Sequence, residues 1–239
     1  MPMKLTDLFS KKKHLWSEDL WSGQTDFHSH ILFGVDDGVQ TLNESVSILE
    51  RYETWGVTDV WCTPHIMEDI PNITQDLRIR FDELRAAYKG TIRLHLAAEY
   101  MIDSLFIERL SGNDLLPIGD DANKILVETS YYTAPERFMQ ILEEIKSAGY
   151  HPLLAHPERY AYMNKDFYAD LKGKNILFQL NIGSLVGVYG VVAQKKSDYL
   201  LKNGMYDFFG SDIHHYRMMD NQAVVLEKSL LKVREVVKK

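Results

Sequence analysis

Nine side chains able to hold a divalent cation fall in short groups along the chain: His28 and His30, Asp37, His65, Glu99, Glu128, His156, and Asp212 with His214. Imidazole nitrogens and carboxylate oxygens suit Mn, Fe or Zn, and no paired thiolates point to a structural zinc knuckle. Residues i and i+2 on a strand face the same way, so His28 and His30 can share one ion, and Asp212 and His214 repeat that spacing. A glutamate between two such ions would keep them roughly 3.5–4 Å apart, the geometry of two-metal hydrolases. The chemistry expected is hydrolysis of an ester.

Each feature alone is weak. A lone buried histidine is more often a hydrogen-bonded core residue than a ligand, and one strand-end carboxylate is usually a cap or turn residue. Their number decides the matter, because packing does not require so many costly polar groups at one place. His14, His95, His151 and His215 do not fit the pattern and read as structural or surface residues. Asp36-Asp37-Gly38 reads either as a turn or as a source of one more ligand, from Asp36 or Asp37. Cys62 lacks the arginine that a cysteine phosphatase needs about six residues on, where Glu68 stands, and so reads as a small buried apolar residue.

The elements that must position these groups alternate between short β-rich runs and longer helical ones. Strands are expected over 25–28, 57–63, 92–98, 124–128, 152–155, 176–181 and 206–210. Helices are expected over 41–55, 74–88, 134–148 and 222–237, the first opened by a Thr41/Glu44 capping box and closed by Gly56. This rhythm predicts a parallel α/β fold. An open sheet gathers ligands at one switch point, whereas a barrel takes them from many strand ends, as here; a closed barrel is the expected form. Gln179 and Asn181 are the polar neighbours offered by the sixth strand.

Hydrophobic residues make up 45% of the 239, enough for a sizeable core, and no linker divides residues 25–239, which are expected to form one domain. Net charge of −7 gives no reason to expect nucleic acid. A single cysteine and the lack of an apolar run of about 18 residues fit a cytoplasmic protein without a membrane span. Residues 1–24 read as an extension with a short amphipathic helix through Leu5, Leu8, Phe9, Leu15, Leu20 and Trp21.

Asp26-Phe27-His28-Ser29-His30-Ile31-Leu32 with Gly34-Val35-Asp36-Asp37-Gly38 resembles the opening motif of the PHP (polymerase and histidinol phosphatase) superfamily. More narrowly, it resembles the manganese-dependent protein-tyrosine phosphatases of bacterial capsule and exopolysaccharide systems. Thr63-Pro64-His65, Ala98-Glu99, Val127-Glu128, Ala155-His156-Pro157-Glu158-Arg159-Tyr160 and Gly210-Ser211-Asp212-Ile213-His214 continue the match in order over roughly residues 25–220. The resemblance implies a distorted seven-stranded (β/α)7 barrel of TIM-like type with three metals, manganese first and iron or zinc as alternatives. It assigns His28, His30, Glu99 and Asp212 to one metal, Glu99, Glu128 and His156 to a second, and Asp37, His65 and His214 to a third. It implies Arg159 near the phosphate, Arg217 as a second arginine, and catalytic parts for Asp37 and His65. The implied substrate is phosphotyrosine on a protein, a bacterial tyrosine kinase controlling polysaccharide export. A small-molecule phosphatase such as one for histidinol phosphate, and a non-catalytic metal-stabilised adaptor, are the competing readings.

Overall fold

Parallel strands covered on both faces must be apolar on both, and Ile125-Leu126-Val127 and Leu153-Leu154-Ala155 are fully buried. The computed structural model describes residues 11–236. In chain order its first half comprises β1 (Lys12–His14), α1 (Glu18–Trp21), β2 (Thr25–Ser29), α2 (Leu42–Thr54), β3 (Asp59–Cys62), β4 (His65–Ile66), α3 (Thr74–Ala87), β5 (Arg93–Leu96), β6 (Glu99–Met101) and α4 (Ser104–Ser111). Its second half comprises β7 (Lys124–Glu128), α5 (Phe138–Ser147), β8 (His151–Ala155), α6 (Lys165–Gly173), β9 (Leu177–Asn181), α7 (Gly190–Lys202), β10 (Phe208–Gly210), β11 (Val224–Leu226) and α8 (Glu227–Val236).

This is a mixed α/β fold with a curled parallel sheet. One parallel sheet runs β10-β9-β8-β7-β6-β4 and a second runs β2-β3-β5. Only Thr63-Pro64 separates β3 from β4, and only Ala97-Ala98 separates β5 from β6. At the other edge a parallel bridge joins Ser29 to Ile213 just past β10, with Asp212 N–H donating to His28 O (2.8 Å) and His30 N–H to Ile213 O (2.9 Å). Inside the curl, Phe27, Trp61, Leu126, Leu153, Leu177 and Phe208 pack together; Val60, Ile125, Val127 and Leu154 face the helices.

The capping box forms in half. Thr41 Oγ1 accepts from Glu44 N–H, but the Glu44 carboxylate accepts instead from Tyr216 N–H at 2.9 Å. Helix α5 starts later than its pattern suggests, because Arg137 takes a left-handed backbone (φ 57°) immediately before it. The N-terminal expectation needs correction. Leu5, Leu8 and Phe9 lie outside the described residues, and the remainder is a strand and one helical turn. β1 pairs antiparallel with β11, so the expected last helix begins only at Glu227. Leu20 and Trp21 are fully buried, Trp21 stacking on Trp16 and meeting the Tyr52 ring at a tilt. Helices α4, α6 and α7 went unread in the sequence; Asp103 and Asn164 cap the first two.

Candidate metal centre

All nine expected ligands gather at the C-terminal ends of the parallel strands or just beyond them. β2 brings His28 and His30 there through an irregularity. The register of β2 against β3 shifts between Asp26 and Ser29. Asp26 points outward to Tyr52, Phe27 packs inside, and His28 also turns inward to join the polar groups. Such bulges re-aim side chains beside functional sites. Buried Asp26 ties the arrangement down, accepting from His28 N–H, Ser211 N–H and the Tyr52 hydroxyl.

One ring nitrogen of His28, in β2, and one of His30, just past it, are occupied from behind. His28 Nδ1 donates to Gln179 Oε1 (2.5 Å), and His30 Nδ1 donates to Asp36 Oδ2 (2.8 Å). Both Nε2 atoms are thereby directed inward. They lie 3.0 Å from each other, 3.1 and 3.3 Å from Glu99 Oε2, and 3.4 and 3.3 Å from Asp212 Oδ1. His65 Nδ1 is 3.3 Å from Glu99 Oε2 and 3.2 Å from Glu128 Oε1. His156 Nε2 meets the other Glu99 oxygen at 3.0 Å and lies 3.9 Å from Glu128. Toward solvent, Asp37 Oδ1 stands 3.6 Å from both His65 Nε2 and His214 Nε2.

Three ligand groups result: His28, His30, Glu99 and Asp212; His65, Glu99 and Glu128; and His30, Asp37, His65 and His214. Glu99, His30 and His65 are each shared. The second group differs from the expected one, since His65 stands beside Glu128 more closely than His156 does. Between the two aspartates the geometry separates the roles. Asp36 accepts from His30, His65 N–H and Gly38 N–H, whereas Asp37, 64% exposed, faces the outer histidines. Gly38 is required for closeness, because a Cβ there would strike His30 O and Cβ.

Asp212 and His214 converge for a reason other than strand alternation. β10 has ended at Gly210, Asp212 is left-handed (φ 54°), and His214 Nδ1 donates to Asp212 O at 2.9 Å. His156 is left-handed too (φ 34°). Non-glycine residues in that region carry strain that the surroundings must impose, and such strain collects at functional sites.

The donor set fits cations. Ligand atoms about 2.1 Å from one ion lie roughly 3.0–3.4 Å from one another around it, the range observed for the first group. Two imidazole nitrogens 3.0 Å apart repel unless a proton or cation lies between them. Buried His65 Nδ1 and His156 Nδ1 have no hydrogen-bond partner. His65 Nδ1 is close to two carboxylates but not in line to donate to either, as expected for a lone pair facing an ion.

Burial alone would raise the Glu99 and Asp212 carboxyls, but His28 and its neighbouring cations outweigh it and hold both well below the usual range. Burial likewise pulls His30 down, yet Asp36, Asp212 and Glu99 hold it well above its ordinary 6.5. Protonated His30 therefore stabilises the ion-free fold fully below pH 6.5, and that contribution is lost as pH rises through the raised value. Cations must displace this proton. Binding of a divalent cation at pH 7 is thus expected to release protons and to tighten as pH rises. Calorimetry in two buffers of different ionisation heat measures the release; identical heats would contradict it.

Arg159 lies beside the cluster. Its Nη1 donates to Asp212 Oδ2 (2.8 Å), the oxygen that also accepts from Asn181 Nδ2 (2.7 Å). Arg217 is not brought there: it is exposed and lines a separate groove with Glu50 and Arg51 on α2. His95 stacks on Trp61 and meets Asp59 at 2.9 Å, while Cys62 is buried, which pushes its thiol up. His14, His151 and His215 are exposed. Gln179, in the middle of β9, and Asn181, at its end, are expected from the sequence only as polar neighbours; their alternation on one strand is the available signal. Tyr131 and Tyr189 near Arg159 gave none.

A family model described as capsular polysaccharide synthesis, CpsB/CapC, matches residues 24–234. CapC of Staphylococcus aureus is 29% identical over 195 residues, covering 79% of this chain and 76% of its own. The tyrosine-protein phosphatase YwqE of Bacillus subtilis is 28% identical over 198 residues, covering 80% and 78%. A chain from the crystal structures of YwqE and of Streptococcus pneumoniae CpsB, described as metal-dependent tyrosine phosphatases, superposes with a TM-score of 0.71 at 23% identity, covering 89% of this chain and 86% of that one.

Proposed function

The chain belongs to the CpsB/CapC family of capsular polysaccharide synthesis, and from that premise we propose that it is a metal-dependent protein-tyrosine phosphatase. The observation that carries this reading is the interlocking of three ligand groups through Glu99, His30 and His65. We read residues 25–239 as one domain and the curled sheet as a seven-stranded (β/α)7 barrel. The near-continuity of β3 with β4 and of β5 with β6, and the Ser29–Ile213 bridge, support that reading. We assign three divalent ions, manganese foremost, to the nine ligands, with His156 completing the Glu99–Glu128 group.

Bound divalent cations supply Lewis acidity, which makes water nucleophilic and offsets phosphoryl charge. Arg159 donates N–H groups to the non-bridging phosphoryl oxygens, a stabilisation that strengthens as charge develops. Gln179 and Asp36 keep the His28 and His30 rings turned so that their Nε2 atoms remain ligands. Asp37 and His65 line the outer edge, where the leaving oxygen departs. A phenolate, with a pKa of about 10, departs with less help from a proton donor than an alkoxide does. Tyr132, 80% exposed, follows Tyr131, and exposed Val188 precedes Tyr189; this apolar fringe suits residues flanking a phosphotyrosine better than a small polar ester. The substrate we favour is the phosphorylated tyrosine of a kinase controlling polysaccharide export, in the cytoplasm. Among the described residues no helix is long and apolar enough to cross a membrane.

Loaded with manganese, the protein is expected to hydrolyse a phosphotyrosyl peptide at least tenfold faster than histidinol phosphate in kcat/KM, and to lose that activity on chelation. Faster turnover of histidinol phosphate would favour the small-molecule reading. Inactivity with Mn, Fe, Co and Zn alike would favour the adaptor.

A further inference from the structure

Arg159 is held by more than its ion pair. The Tyr189 ring centroid lies 4.1 Å from the guanidinium carbon, and the Tyr131 centroid lies 4.5 Å from it. The Tyr189 hydroxyl also reaches Asp212 Oδ2 at 3.4 Å, so this one side chain touches both partners of the Arg159–Asp212 pair. Local backbone serves the same end. Gly187 and Gly190, with φ of +80° and +88°, bracket Val188-Tyr189, leaving Val188 exposed while Tyr189 turns in toward Arg159. Tyr131 follows β7 closely and packs against Tyr160 and His156 as well.

An unrestrained arginine loses much side-chain freedom on gripping an anion, whereas one held by aromatic rings loses less. We propose that Tyr131 and Tyr189 are positioning residues that hold the Arg159 guanidinium between Asp212 and the phosphoryl group, so that anion binding is prepared before the ester arrives. The proposal rests on the phosphatase reading for its substrate, but its first readout is phosphate binding rather than turnover. The rings act through their faces, so phenylalanine serves nearly as well as tyrosine at position 131. At 189 phenylalanine loses the hydroxyl's long contact to Asp212 and its contact to Asn181, but keeps the ring face.

The test is a double-mutant cycle on the manganese-loaded protein, with inorganic phosphate as the probe and metal content measured on every variant. Y131L and Y189L, which keep an apolar side chain of useful size, are each expected to weaken phosphate binding roughly fivefold with metal content unchanged. The same substitutions in R159A are expected to add nothing, and Y131F and Y189F to bind within about twofold of the parent. For peptide hydrolysis the leucine variants should raise KM more than they lower kcat. The proposal is overturned if the leucine substitutions weaken binding as much in R159A as in the parent, or if phenylalanine fails as leucine does. A parent that binds phosphate with the expected coupling but hydrolyses no phosphotyrosyl peptide would remove the phosphatase reading and leave the clamp standing.

Discussion

Glu99→Gln is expected to abolish measurable phosphatase activity and to reduce bound manganese by more than one equivalent. Glu99 is fully buried, and its two oxygens meet His28, His30, His65 and His156. Among the described residues no other carboxylate stands in two ligand groups. The amide keeps the shape but puts an NH2 where one oxygen accepted, so it repels any ion at that side. The four surrounding imidazoles also lose the charge that holds them. Loss of an outer partner of a metal ligand costs roughly 10–100-fold; this change removes a shared ligand and should exceed that range. Elemental analysis and an aryl phosphate assay on one preparation check it. Full metal content with activity within tenfold of the parent would dismiss the shared-carboxylate account.

For stability, a large effect is expected at a residue without a side chain. Gly210 ends β10 against β2, and a Cβ there would collide with His28 Cβ and come within 2.9 Å of His28 N. Its φ is not positive, so the demand is for space rather than for an unusual backbone. Gly210→Ala must push β2 away from β10, where Asp212 N–H donates to His28 O and Ser211 N–H to Asp26. An overpacking cost of about 3 kcal/mol lowers Tm by roughly 6–12 °C in a domain of this size. Gly173→Ala, at a position where an added Cβ meets nothing within 4 Å, is the control and should melt with the parent or slightly above it. Coincident melting of the two variants would sink the argument.

The legible part of the site was its chemistry. Histidine and carboxylate types, their place after apolar β-runs, and the His28–His30 spacing are local properties, and the structure brings these groups within a few ångströms of one another. The local backbone that achieves this was not legible. The register shift in β2 and the left-handed turns at His156 and Asp212 are imposed by contacts between distant segments, which leave no periodicity in the chain. The short strands β4 and β6, which follow the interruptions at Thr63-Pro64 and Ala97-Ala98 beyond the ends of two expected strands, were missed for a similar reason. Pro64 has no N–H to give, though its carbonyl still accepts from Glu99 N–H at 3.1 Å. Likewise the pairing of β1 with β11 spans more than two hundred residues, so neither strand announced itself. Asp36 and Asp37 could be told apart only once each had neighbours.

The packed interior of the sheet has a consequence for the order of events in turnover. Phe27, Trp61, Leu126, Leu153 and Phe208 fill the space beneath the polar groups. An ester would then reach the cluster from the side where Asp37 is exposed. On the proposed reading, a freed tyrosine still attached to its protein and the phosphate would leave by that same side, and clearing it would be part of each cycle.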